Sequence, residues 1–474
     1  MSERTMTAPS SGFTDTLAQF AIETRGADIP QAALTAARDA VTDTLGVALA
    51  GSRDPAGEIT ARWVRELGAA PRCTVWGQAL SSSTADAACA NAIASHALDF
   101  DDTHPGTRGH SSATLVPAAL AVGETGHASG GEVLAAYVVG LEVAGKIGRA
   151  FGPDHLQRGW HPTATVGIFG ATTVAARLAG LDAERLQRAW GIAASQMGGL
   201  VRNFGTMTKP FHAGHAARCG VLSAWMAGEG YTAAAEIFDR PGGVLGVYRG
   251  ADGAPVERLL SDLGKPWEVL DPGNYVKRWP CCYSNHRAVG GLLDLVAENG
   301  IAADDVQEVA IGFLPGTDTA LVSRDPQTGL EGKFSVEYVL AALLIDGALT
   351  LETFTDGMVQ RPHVRELMRR VRRQYIPDDK IYSGIAGYTD LWVTTTRGKH
   401  ERRIERVPGS PAWPVSEADQ RAKFSDCATR VVGAEDAVRL LELCQRLPAL
   451  PDVSELSQAA RGSARGDSKI QLAG

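Results

Sequence analysis

No C-x-x-C occurs in this 474-residue chain, and its seven cysteines (73, 89, 219, 281, 282, 427, 444) follow no regular spacing. Zinc ribbons and cysteine-ligated iron–sulfur clusters are therefore not expected. An odd, scattered set reads instead as reduced thiols in a cytoplasmic protein. Excess positive charge is also missing: 46 lysines and arginines stand against 54 acids, a net charge of −8. Nucleic acids and anionic membranes, which recruit basic patches, are thus not expected partners. Apolar runs such as LVPAALAVG (115–123) fall well short of the ~20 residues of a membrane span. The polar start MSERTMTAPSSGFTD lacks the apolar stretch of a secretory signal. Absent too are G-x-G-x-x-G, G-x-S-x-G and H-E-x-x-H. No dinucleotide fingerprint, nucleophile elbow or zinc-protease helix is expected.

What the chain does have is small-residue, helix-forming apolar sequence. A hydrophobic content of 44% against 21% charged residues suffices to bury a large core. Segments 29–51, 130–151, 162–180 and 210–230 are rich in Ala and Gly and apolar on most faces. Helices of that kind are buried, and small residues let their axes approach closely. Pro30 near a start and Gly51 just past an end follow the usual asymmetry. β-Branched and aromatic stretches then appear at 305–316, 372–379, 388–398 and 399–409, the last two an expected hairpin around Arg397-Gly398-Lys399. Helices at 286–300, 335–347 and 363–373 are interleaved with them, and helical sequence returns at 416–432 and 433–447. The tail, 460–474, is expected to be flexible in part. The expected fold class is mainly α. A large all-helical domain comes from both chain ends (1–271 and 416–474), and a smaller α+β domain is inserted at 272–415.

Chemistry concentrates in HALDFDDTHPGTRGH (96–110), with three acids, three histidines and an arginine. Asp99, Asp101 and Asp102 could hold Mg²⁺ through oxygen ligands, but no second acidic cluster partners them. H-x-x-H at 212–215 lacks the glutamate of a zinc-protease helix. No metal is expected. His161 precedes Pro162, and Lys209 precedes Pro210. Proline suits a first helical turn and keeps the residue before it out of the α region, so both basic residues are expected at helix N-termini. Free N–H groups and the positive end of the dipole favour an anion there and lower the pKa of a nearby base. His110 repeats the arrangement, with Ser111 or Ser112 as cap. The competing reading leaves these residues as exposed loop positions. Lys277 and Arg278 of NYVKRWP add two cations. His96 reads as a helix-packing residue, His104 as a loop residue, and Cys281-Cys282 as buried thiols.

Six segments in order, HALDFDDT, RGWHPTATVG, GIAASQMGGL, TKPFHAGHAAR, VKRWPCCYSNH and GKFSVEYVLAALL, resemble the MmgE/PrpD family. Its members include 2-methylcitrate dehydratase, cis-aconitate decarboxylase and iminodisuccinate epimerase. The resemblance implies a homodimer, an α+β lid over the helical domain, and catalysis without metal or organic cofactor. By motif it implies a pocket of Asp99, Thr103, His110, His161, Lys209, Lys277, Arg278 and Tyr338. In the implied chemistry a proton moves at a carbon next to a carboxylate of a small di- or tricarboxylic acid, and preorganised cations stabilise the enediolate-like species. His161 and Lys209 would be the acid/base pair, His110 a second acid or orienter, and Asp99 the group fixing a neighbouring histidine or lysine. Thr103, Lys277, Arg278 and Tyr338 would bind substrate. A lyase, dehydratase or decarboxylase, is the first expectation, an epimerase the second and a non-catalytic member the third. The chain reads D-F-D-D-T like the decarboxylases, but R-G-H-S-S where they read T-H-P-S-G, and Cys282 where they carry a histidine. R-G-H resembles the epimerases.

Overall fold

The structure is a computed structural model and describes residues 12–382 and 386–462. From residue 463 on, the tail expected to be flexible lies outside the described residues. The fold is mainly α. Helices Gln31–Gly51, Thr84–Ala97, Ser111–Gly126, Gly130–Phe151, Gly167–Leu178 and Thr208–Gly228 pack with the late helices Glu417–Thr429 and Ala434–Arg446. One apolar cluster takes Leu45, Leu115, Val139 and Phe169 from the first set and Phe424, Leu440 and Leu447 from the end of the chain. The two ends therefore share a core. Small residues make it close: at Gly214 a Cβ would stand 2.4 Å from Ile93 Cγ1 and 2.8 Å from the Cys89 carbonyl oxygen. Thr208–Gly228 thus lies directly on Thr84–Ala97, and the start of one helix meets the end of the other.

A second cluster gathers Val306, Ile311, Val339, Leu391, Val393 and Ile404. Its sheet runs in the order Val371–Tyr375, Val306–Phe313, Thr389–Thr395, Gly398–Ile404, the first pair parallel and the others antiparallel. Helices His286–Asn299 and Val336–Asp346 pack on it. Leu156, Val201 and Phe204 of the helical part join this second cluster, so the two cores meet along a seam. No helix among the described residues is long and apolar enough to cross a membrane.

Several expected boundaries shift for identifiable reasons. The hairpin pairs Thr395 with Gly398, so its two-residue turn is Thr396-Arg397 and Gly398 already belongs to the strand. The helix expected over 363–373 stops at Met368, because Val371–Tyr375 pairs with Val309–Phe313 and Arg373 turns inward to Glu337 (2.8 Å). The segment 162–180 divides into Pro162–Thr165 and Gly167–Leu178. Gly51 ends its helix from inside. A hairpin of three-residue strands, Cys73–Val75 and Leu80–Ser82, is too short to show a period of two in the sequence.

Candidate active site

The polar run that follows Thr84–Ala97 folds as a loop pinned on two sides. Thr103 and Tyr275 exchange backbone hydrogen bonds (3.0 and 2.8 Å), and the His104 N–H donates to the Gly109 carbonyl (2.9 Å). Gly109 lets the loop rest on the start of helix Pro162–Thr165, where a Cβ would stand 2.7 Å from the Thr163 nitrogen. Asp99 adopts a left-handed backbone, φ 51°, which aspartate tolerates better than most residues. Its carbonyl oxygen accepts from Lys277 Nζ at 2.8 Å.

The side chains then form one buried chain of charges. Lys209 Nζ donates to Asp99 Oδ1 (2.6 Å), and Lys277 Nζ lies 3.0 Å from Asp99 Oδ2. Lys209 Nζ also donates to His96 Nε2 (2.8 Å), and His96 Nδ1 in turn donates to Asp101 (2.9 Å). Asp101 Oδ2 sits 3.0 Å from His110 Nδ1. Burial alone would raise the Asp99 carboxyl, but Lys209 and Lys277 outweigh it and hold the group well below its usual 3.8. Burial is overcome at Asp101 as well, there by His96 and His110. Lys277 is raised, because Asp99 and Asp101 outweigh the opposing effect of its burial. Asp102 differs from its neighbour: burial pushes it up to about 7, against the Ser112 hydroxyl that donates to it at 2.5 Å.

His110 and His161 each stand at the cap position of a helix, before Ser111–Gly126 and Pro162–Thr165. Ser111 and Ser112 lie inside the helix, so neither is the cap. Lys209 is the second residue of Thr208–Gly228, one position further in than expected. Burial lowers His110 to about 3, and Lys277 and Lys209 add to it against the pull of Asp101. Burial, then Lys209 and His212, hold His161 well below 6.5. Both imidazoles are neutral near pH 7, the form in which a ring nitrogen can accept a proton.

A cavity of about 80 Å³ lies at the seam, with Thr103, Arg108, His110, His161 and Lys209 on one side and Cys282 and Phe334 on the other. Thr103 Oγ1 is buried without a hydrogen-bond partner and is left over for a ligand. Arg108 donates to the Gly148 carbonyl at 2.6 Å, and burial lowers its guanidinium to about 10, so it remains a cation near neutrality. Burial, then Asp99, raise the Cys282 thiol, so this wall is uncharged. The pocket thus offers cations for carboxylates, neutral imidazoles for proton transfer and a hydroxyl.

His96, Asp99, Asp101 and His110 bring four ligand-type atoms within 4.8 Å of one another. A divalent ion there would face Lys209 and Lys277, which already hold both oxygens of Asp99 at 2.6 and 3.0 Å. The donor set suits ammonium partners rather than a metal. Nor does H-x-x-H converge: His212 Nδ1 meets His161 Nδ1 at 3.0 Å, while His215 Nε2 donates to the Gln196 carbonyl at 3.1 Å.

Of the residues named from sequence, Asp99, Thr103, His110, His161 and Lys209 line the cavity, while Lys277, expected to bind substrate, is fully buried behind them and spends its ammonium on Asp99. Arg278 and Tyr338 do not line it. Arg278 is exposed, its guanidinium 5.7 Å from the Trp279 ring; next to an inward Lys277, in a non-helical segment, its side chain leaves on the opposite side. Tyr338 is buried in the second core, its hydroxyl donating to the Thr353 carbonyl and its ring edge-on to Phe354. Ser335 caps that helix, accepting from the Tyr338 N–H at 3.2 Å, and it is Phe334 that reaches the cavity. Sequence reasoning leaves out Arg108, reads His96 as packing, and weighs Asp101 and His212 only as metal ligands. His212 had a usable signal, since it lies three residues after Lys209 and so on the same helix face. His104, read as a loop residue, is on the loop but buried, its Nε2 donating to the Glu268 carbonyl at 2.9 Å.

Fold and site together define a mainly helical protein with a lysine- and histidine-lined pocket at the seam between two cores. The chain belongs to the MmgE/PrpD family: the model of the MmgE/PrpD N-terminal domain matches residues 15–256, and that of the C-terminal domain matches residues 279–447. Similar curated proteins include cis-aconitate decarboxylase of Homo sapiens, 29% identical over 436 residues, which cover 89% of each chain. That of Mus musculus is 28% identical over 91% of this chain and 90% of its own. That of Aspergillus terreus is 28% identical over 76% of this chain and 78% of its own.

Proposed function

We propose that the chain is a lyase acting without metal or organic cofactor on a small di- or tricarboxylate, by proton transfer at a carbon next to a carboxylate. Decarboxylation of cis-aconitate is the reaction the relatives' names favour. The observation that carries the reading is the Asp101–His96–Lys209–Asp99–Lys277 chain, with neutral His110 and His161 beside it. Lys209 and Arg108 attract substrate carboxylates, Thr103 orients one of them, and His161 with Lys209 moves the proton. Asp99 fixes both lysines, and His110 is the second acid or orienter. Arg108 takes the substrate-binding place that the resemblance implies for Arg278. A cavity of about 80 Å³ is small beside the roughly 300–1,000 Å³ of ligand sites. The α+β part therefore acts as a lid that opens for substrate. We further place the protein in the cytoplasm, where its buried free cysteines stay reduced, and in a homodimer that covers the exposed Trp225. Release of CO₂ from cis-aconitate by the purified protein tests the leading reading.

Epimerisation of a dicarboxylate such as iminodisuccinate is the second reading. His110 and His161 stand at two separate helix starts on one cavity, as two bases on opposite faces of a carbon would.

A further inference from the structure

His161 and His212 face each other nitrogen to nitrogen. Their Nδ1 atoms are 3.0 Å apart, a hydrogen-bond distance that requires one of the two atoms to carry the proton and the other a lone pair. His161 is fixed from its backbone as well, its N–H donating to the Gly199 carbonyl at 3.0 Å. Its ring is held edge-on to Phe204 at 4.8 Å. With Nδ1 taken by His212, Nε2 is the nitrogen left for the cavity that His161 lines. His161 is 2% exposed and His212 6%, so both residues are buried and His212 is the less covered of the two. Burial, followed by nearby positive charge, lowers both rings, His212 to about 4.

Two neutral rings cannot both present the same tautomer across this contact, and that constrains what His161 can do. With a proton on Nε2 it is a donor to the pocket, and its Nδ1 must then accept from His212 Nδ1–H. With a lone pair on Nε2 it is a base, and its Nδ1–H must donate to His212.

Resting on the reading of His161 as the acid/base of the pocket, we infer that His212 is a positioning residue that sets the tautomer of His161 and relays its proton to solvent. When His161 Nε2–H gives its proton to a carbanionic carbon, the N–H bond breaks and the C–H bond forms. In the same step His161 Nδ1 takes the proton of His212 Nδ1, and His212 Nε2 takes one from water. One proton enters, one leaves, and both rings end neutral with exchanged tautomers. The pair resets when Nε2 of His161 takes a proton, from the next substrate or from water in the emptied pocket, and His212 Nε2 returns one to solvent. Neither ring has to become an imidazolate or a buried imidazolium, the two forms that burial disfavours.

Substitution of His212 tests this, because asparagine can place an amide nitrogen or oxygen near the Nδ1 position and yet cannot relay a proton. The His212→Asn variant should keep KM within about threefold and lose roughly tenfold or more in kcat, with a larger solvent deuterium isotope effect. In His212→Ala, added imidazole should restore part of the rate. Full kcat with an unchanged isotope effect in His212→Asn overturns the relay. Nitrogen-15 NMR of histidine-labelled wild-type protein gives a readout that needs no turnover. One Nδ1–H tautomer in the His161–His212 pair supports the inference, and two Nε2–H tautomers overturn it. Full activity of His161→Ala, by contrast, removes the acid/base role of His161 itself, whatever His212 does.

Discussion

Lys209 meets Asp99 at 2.6 Å across a separation of 110 residues, and the same ammonium reaches His96 at 2.8 Å. One nitrogen thus ties the start of a helix to the end of the helix it packs on and to the loop that follows. Its charge is therefore fixed in place before any substrate arrives.

If Lys209 moves or stabilises the reacting proton, Lys209→Met should lose roughly 10²–10⁴-fold in kcat while the protein stays folded. Steady-state kinetics beside a circular dichroism spectrum would measure it. A variant with wild-type kcat removes Lys209 from the chemistry.

Asp99 is the counter-charge of two buried lysines. Asp99→Ala leaves Lys209 and Lys277 uncompensated, which should cost about 3–5 kcal/mol of stability, the range for breaking a buried ion pair. Urea denaturation decides: a loss below about 1 kcal/mol would place the pair among weak surface contacts.

Asp102 titrates at 3.8 when free and at about 7 in the fold. Between those values the folded protein holds a proton that the unfolded chain has released, so this group makes stability fall as pH rises through the window. The Asp102→Asn variant keeps an oxygen for Ser112 and does not titrate. Its stability relative to wild type should therefore improve from about pH 4 to 7, by at most ~1.4 kcal/mol per pH unit. Parallel stability curves for the two proteins would falsify the raised carboxyl.

Gly214 links the fold to the site. A Cβ there meets Ile93 Cγ1 at 2.4 Å and the Cys89 carbonyl at 2.8 Å, so Gly214→Ala must push Thr208–Gly228 away from Thr84–Ala97. Overpacking of this kind costs about 1–3 kcal/mol. It should also lower kcat, because Lys209 moves away from His96. A thermal melt and a rate measurement on the same sample check both, and unchanged values in both would show that the helices have slack.

Much of this was legible in the sequence. Helix Gly130–Phe151 falls where its Ala- and Gly-rich apolar run lies. His161 sits at a helix start because proline follows it, a purely local cause. The errors arise where long-range pairing decides. His96 sits among Ala and Ser on a buried helix and looks like packing; only its meeting with Lys209, 113 residues away, makes it polar machinery. Motif alone places Arg278 and Tyr338 in the pocket, but neighbours in one motif need not share a side. Lys277 points in and Arg278 out, and Phe334 reaches the cavity where Tyr338 fills the core. Arg108 carried no local signal, since its place follows from how the loop closes on Gly148.

The most direct test is proton NMR of the wild-type protein in D₂O with cis-aconitate, 2-methylcitrate and iminodisuccinate in turn. Lyase action gives a new vinylic product, with deuterium on the carbon that took the proton; epimerase action gives deuterium wash-in without loss of substrate. A lyase with this site gives the first outcome on cis-aconitate and loses it in His161→Ala and Lys209→Met. No turnover and no exchange on any of the three acids would contradict the lyase reading.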